Sequence, residues 1–211
     1  MLEENLIERE KDSELIYDGK VLHLYKDTVT LPDGNVAIRE YCKHNGGVCV
    51  LPLTDDNGVI CVRLYRYAHR QLTIEIPAGK LESKDTDISA AALRELKEET
   101  GAECKELIYL GKMFSSPALL SEVIYMFWAR GLSFGSSSPD EDEFLECERI
   151  PLKKMVDMAC TDEILDAKTQ IAALRVWKEL NKKSNIKRGR ADFHRLTALF
   201  LFQETEFFPE F

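Results

Sequence analysis

No apolar run in this chain approaches the ~20 residues that a helix needs to cross a bilayer, so no membrane span is expected. The N-terminus, MLEENLIEREKDS, lacks the apolar stretch of a secretory leader. Positive charge is also in short supply. With 28 Lys and Arg against 37 Asp and Glu, the formal net charge is -9. Duplex nucleic acid recruits basic surfaces, so it is excluded as a main partner. The one basic stretch, Lys182, Lys183, Lys187, Arg188 and Arg190, reads as a solvated helix end and linker. Six cysteines, Cys42, Cys49, Cys61, Cys104, Cys147 and Cys160, form no CxxC pair. Cys49 and Cys61 lie inside apolar runs, where a free thiol acts as a small core residue. This excludes a disulfide framework and a zinc site, and it fits a reduced, cytoplasmic protein. Repeats and low-complexity linkers are absent.

What the chain does have is enough apolar material for a core. Its 211 residues, 45% hydrophobic and 31% charged, suit one globular domain, or a small domain with an N-terminal accessory element. Residues 15 to 43 read as strands broken by turns at Tyr17-Asp18-Gly19-Lys20 and Leu31-Pro32-Asp33-Gly34-Asn35. Two apolar runs, Val48 to Leu53 and Val59 to Tyr65, flank Asp55-Asp56-Asn57-Gly58 and predict a hairpin of buried strands. A short strand over Leu72 to Ile76 leads into Pro77-Ala78-Gly79. Further strands are expected near 106–113, 122–129 and 145–150, with closing helices over 151–159 and 166–182. The order of elements predicts an α+β domain with a mixed sheet.

Residues 88 to 100 form the clearest helix, with Asp87 placed to cap its start and Gly101 to end it. Ala91, Ala92 and Leu96 would give its apolar contacts, with the acidic residues elsewhere around the axis. Glu95 and Glu99, four residues apart, project side by side, and Glu98 extends the same patch. Carboxylates this close repel one another unless a cation or an arginine neutralises them. Hard oxygen ligands suit Mg²⁺ or Mn²⁺ bound together with substrate phosphate. A solvated charged face is the ordinary reading of Glu-x-x-Glu-Glu alone, so the surrounding pattern has to decide.

That pattern is Gly79 to Gly101, ending Arg94-Glu95-Leu96-Lys97-Glu98-Glu99-Thr100-Gly101, and it resembles the Nudix box. The loop departs from the family: Asp85 replaces a Glu, and Arg94 lies nine residues beyond it, one more than usual. The resemblance runs from about Tyr17 to Leu180. Val62-Arg63-Leu64-Tyr65-Arg66-Tyr67-Ala68, Glu75-Ile76-Pro77-Ala78-Gly79-Lys80-Leu81-Glu82, Ser115-Ser116-Pro117 with Ser121-Glu122, and Asp166-Ala167-Lys168-Thr169 look like the ADP-ribose pyrophosphatase branch. Pro117 lies fifteen residues past Ala102, although Ala118 stands where the branch often has Gly.

The resemblance implies a sheet-helix-sheet sandwich with an N-terminal strand-rich segment. It implies hydrolysis of the pyrophosphate bond of ADP-ribose to AMP and ribose 5-phosphate, with Mg²⁺ (Mn²⁺ possible in its place) as cofactor. Glu95 and Glu99 would bind metal with the Ala78 carbonyl, Glu98 would ligate or orient, and Arg94 would lock the array. An acidic loop supplies the general base, Glu143 first and Glu141 second. Arg66, then Arg70, would meet phosphate, and Pro117 belongs to the substrate-binding set. Glu75 would contact ribose or an arginine, or else lie on an edge strand as a surface residue. Tyr17, His23 and Tyr25 are available as an aromatic wall for a partner subunit. Residues 1–45 would then be a dimerisation segment, 46–184 the catalytic domain and 185–211 a tail of unknown role, in a homodimer acting on a nucleotide sugar. Two other readings stand beside this one: hydrolysis of another nucleoside-diphosphate sugar such as GDP-mannose, and a non-catalytic nucleotide-binding module.

Overall fold

The computed structural model describes residues 4–82, 85–139 and 143–182. The expected tail over 185–211 and most of the basic stretch lie outside the described residues.

Three antiparallel strands open the chain: β1 (Arg9–Asp18), β2 (His23–Thr30) and β3 (Val36–Lys43). Their turns fall where Gly and Asp direct them. Gly19 N–H donates to Leu22 O at 2.9 Å, and Asp33 accepts from Asn35 N–H at 2.9 Å beside Gly34 at φ 88°. β1 starts earlier than the sequence predicts. Its first half, Arg9 to Glu14, is charged and has no apolar alternation to mark a strand. Register with β2, not burial, defines it, since every residue of β1 is exposed.

The next two runs, β4 (Gly47–Pro52) and β5 (Gly58–Arg66), correct the hairpin expectation. A tight turn does form, with Thr54 N–H on Gly58 O at 2.8 Å and a bridge between Leu53 and Val59. Beyond it the two strands separate into different sheets. β4 lies within a four-stranded mixed sheet, between β7 (Ala78–Lys80) and β9 (Val123–Phe134), which is flanked in turn by β8 (Ala102–Phe114). It pairs parallel with β9, Gly47 opposite Ile124. β5 lies between β6 (Gln71–Glu75) and β10 (Leu145–Pro151). The physical reason is that β4 is apolar on both faces and buries every residue. A two-stranded hairpin cannot cover two faces, whereas an interior position in a sheet can.

Those two faces serve two cores. Val48 and Val50 pack with Ala91, Ala92 and Leu96 of the helix α1 (Ile88–Thr100). Cys49 and Leu51 pack with Val59 and Cys61 of β5, Met155 of α2 (Leu152–Ala159) and Val176 of a third helix, α3, over 167–182. The result is the expected α+β architecture. No helix among the described residues is long and apolar enough to cross a membrane.

Candidate active site

The acidic helix is built as its sequence predicts at both ends. Asp87 accepts a hydrogen bond from Ser89 N–H, and Gly101, at φ 67°, returns its N–H to Lys97 O. Its faces differ from the expectation. Ala91, Glu95 and Glu99 form one i, i+4, i+8 stripe, so both carboxylates lie on the buried side with Leu96 rather than elsewhere around the axis. Glu95 is 9% exposed and Glu99 6%.

Space for these carboxylates comes from β7. Gly79 faces Glu95 so closely that a side chain there would collide with the carboxyl group. Ala78 N–H donates to Glu99 Oε2 at 3.3 Å. Arg94 gathers the rest: Nη1 donates to Glu98 at 2.9 Å, and Nη2 lies 2.8 Å from Glu95 and 3.8 Å from Asp85. Asp85 thus faces Arg94 in spite of the longer loop, and its Oδ2 also accepts from Glu82 N–H. The Nη2 contact to Glu95 lacks hydrogen-bond alignment, so the Arg94–Glu95 pair is electrostatic rather than directional.

The electrostatics are those of an anionic centre that nearby cations offset only in part. Burial first, then the nearby Glu143 and Glu95, pushes Glu99 up to about 8. Glu95 is also raised, by burial and by Glu98 and Glu143, against the pull of Arg94. Glu143 therefore stands within electrostatic reach of both. A hard divalent cation between Glu95 and Glu99 would relieve this repulsion, so the donor set fits one. Among the described residues no three His, Cys, Asp or Glu side chains already converge as a closed ligand shell. Water, a main-chain carbonyl and phosphate oxygen would complete it, as suits Mg²⁺.

A cavity of about 950 Å³ lies over this face. Ala78, Gly79, Arg94, Glu95, Glu98 and Glu143 form its acidic side. Arg66, Glu75, Asp166 and Lys168 line the same cavity. Arg66 grips Glu75 by two bonds, Nε to Oε1 at 2.7 Å and Nη2 to Oε2 at 2.6 Å. Glu75 is 2% exposed, so the surface position on an edge strand does not hold, and its arginine contact forms. Burial alone would raise Glu75, but the Arg66 hydrogen bonds and the Lys168 charge outweigh it and hold the carboxyl at about 2.

Some candidates lie apart from the cavity. Glu99 sits behind its wall. Arg70, at φ 55°, stacks on Tyr67 at 3.5 Å and does not line it. Pro117 is exposed in a turn, also off the wall, while its neighbours Ser115 and Glu122 line it and hydrogen-bond each other. Glu141 lies outside the described residues. Tyr17, His23 and Tyr25 do not line this chain's cavity: Tyr17 is exposed, His23 pairs with Asp18, and Tyr25 stacks on Tyr41. Sequence reasoning gave Lys168 no role. Nothing in a lone lysine on a helix marks it as buried, because lysine is ordinarily exposed.

Comparison with known proteins accords with this geometry. Residues 43–174 match the NUDIX domain, and residues 8–41 match the nucleoside diphosphate sugar hydrolase N-terminal domain. An ADP-ribose pyrophosphatase of Bacillus subtilis is 39% identical over 173 residues, covering 81% of this chain and 91% of that protein. A methanol dehydrogenase activator of Bacillus methanolicus is also 39% identical, over 76% of this chain and 87% of its own length. The crystal structure of an ADP compounds hydrolase superposes with a TM-score of 0.75 at 24% identity, covering 84% of this chain and 97% of its own, a likeness of fold. The match to that domain spans more than half of the chain, and the chain belongs to the Nudix family.

Proposed function

We propose that the chain hydrolyses the pyrophosphate bond of ADP-ribose, releasing AMP and ribose 5-phosphate. The observation that carries this reading is one cavity lined both by the carboxylates of α1 and by Arg66 with its buried partners Glu75 and Lys168. Its volume of about 950 Å³ suits a diphosphate flanked by two sugars.

Glu95 and Glu99, with the Ala78 carbonyl, are the groups to hold Mg²⁺ or Mn²⁺. When bound, such a cation neutralises the diphosphate and acidifies the attacking water. Arg94 keeps Glu95 and Glu98 in place between turnovers. Arg66 presents its remaining edge to phosphate oxygen. Glu143 accepts the proton of the water as its oxygen bonds to phosphorus, and the bridging oxygen leaves with the other phosphate. Two phosphomonoesters result, with no inorganic phosphate.

The protein acts as a homodimer in the cytoplasm on this reading, without nucleic acid or membrane as partner. Exposed Leu15, Ile16, Tyr17, Val36 and Ile38 on the N-terminal sheet support a self-association surface. All six cysteines are free thiols, in keeping with a reducing compartment.

A substrate panel with products identified by mass spectrometry tests the function. ADP-ribose should exceed ADP-glucose, GDP-mannose and NAD in kcat/KM by at least about tenfold, or ~1.4 kcal/mol of transition-state preference. A win for GDP-mannose would remove the substrate assignment and leave the hydrolase. No metal-dependent turnover across the panel would leave a nucleotide-binding module.

A further inference from the structure

We propose that Lys168 is a positioning residue for Arg66, acting through Glu75; this rests on the substrate reading above. Lys168 is 8% exposed, unusual for a lysine unless it is paired. Its ammonium donates to Glu75 Oε2 and, at 2.8 Å, to Asp166 Oδ1. Glu75 is then fully occupied. Oε1 accepts from Arg66 Nε at 2.7 Å and Thr73 Oγ1 at 2.8 Å, and Oε2 from Arg66 Nη2 at 2.6 Å and Lys168 Nζ. Arg66 is therefore held by one edge of its guanidinium, and Nη1 is left without an acceptor among the described residues.

Two consequences follow for a phosphate entering the cavity. Glu75 alone would cancel the charge of Arg66, and a neutral pair attracts a diphosphate weakly. Lys168 adds a second cation beside that pair. Its second carboxylate, Asp166, is itself engaged at the start of α3, where Oδ2 accepts from Thr169 N–H at 2.9 Å and Thr169 Oγ1 at 2.5 Å. The helix N-terminus offsets part of that negative charge. The other consequence is orientational: a carboxylate held by four donors cannot rotate, so the Arg66 plane is set before substrate arrives. Thr169 Oγ1 also accepts from Ile76 N–H at 2.9 Å, which ties the same turn of α3 to the strand leading into Ala78. Stability gives little reason to bury this ammonium, since apolar replacement of a buried ion pair is often neutral.

A double-mutant cycle decides the matter. The kcat and KM for ADP-ribose with Mg²⁺ are measured for the full-length wild type, Lys168→Met, Arg66→Ala and the double variant, with thermal unfolding recorded for each. Lys168→Met should raise KM at least about tenfold and change kcat less than about threefold. In the Arg66→Ala background the same substitution should change kcat/KM less than about twofold. An equal loss in both backgrounds would overturn the proposal, because it would mean direct substrate contact or general destabilisation. If Lys168→Met does not fold, Lys168→Met with Asp166→Asn removes one charge of each sign and carries the same cycle. A wild type that ignores ADP-ribose sinks the substrate reading instead, and the cycle is then run on the nucleotide sugar that the panel identifies.

Discussion

A Cβ added to Gly79 would stand 1.9 Å from the carboxyl carbon of Glu95. The clash is with the far end of a flexible side chain, so the fold can absorb it but Glu95 cannot stay where it is. Gly79→Ala should therefore cost at least about a hundredfold in kcat, because small displacements at a reacting centre are expensive. Its melting temperature should stay within a few degrees of wild type. Near-normal turnover would show that Glu95 does not need this position.

Glu99→Gln separates charge from shape. Turnover with Mg²⁺ should fall by at least about a thousandfold while the circular dichroism spectrum is unchanged. Metal-free, the folded Glu99 is raised from 4.5 to about 8 by burial and by Glu143 and Glu95. A raised carboxyl disfavours the folded state above its unfolded value, and the penalty grows as pH rises from about 4.5 to 8. With EDTA present, Glu99→Gln should thus melt higher than wild type at pH 8 and equally at pH 4. A mutant with near wild-type rate would remove Glu99 from the site.

Glu143→Gln tests the base. Loss of a general base costs ~10²–10⁴ in rate. KM should change little, since Glu143 faces the carboxylates rather than Arg66. An unchanged kcat would transfer the role to Glu141.

The Arg66–Glu75–Lys168 group sets an acid limit. Glu75 is lowered from 4.5 to about 2, so its contribution to stability is complete above about 4.5 and is lost as pH falls through about 2. Glu75→Gln leaves Arg66 without its anion and Lys168 with Asp166 alone, and should cost on the order of 3 kcal/mol at pH 7 by chemical denaturation. The gap between wild type and mutant should close as pH drops from 4.5 towards 2. A gap independent of pH would assign the loss to packing.

Light scattering at micromolar concentration should report a dimer. The N-terminal sheet leaves Leu15, Ile16, Tyr17, Val36 and Ile38 exposed on one chain. A fully active monomer would contradict the proposed use of that surface.

Local chemistry made much of this legible in advance. Asp87, Gly101 and the i, i+4 spacing of Glu95 and Glu99 fix α1 within a residue or two, because capping and periodicity act over short range. What failed was long-range. The β4–β5 turn reads as a hairpin, yet the choice of partner lies in β9, whose apolar face is over seventy residues away (Gly47 against Ile124). The first half of β1 is charged and is a strand by pairing alone. Lys168 and Asp85 were given no role because their partners, Glu75 and Arg94, come from elsewhere in the chain. Charge complementarity across sequence distance leaves no periodic trace.

The interior position of β4 also bears on how the chain is made. During synthesis Gly47–Pro52 emerges apolar on both sides, and its parallel neighbour does not exist until β9 follows from Val123 onward. Until then its unpaired edges and two apolar faces are an invitation to misassociation. A topology dominated by such distant pairings folds slowly. The strand that carries the two cores of the finished molecule is thus a segment that the nascent chain must shield until β9 emerges.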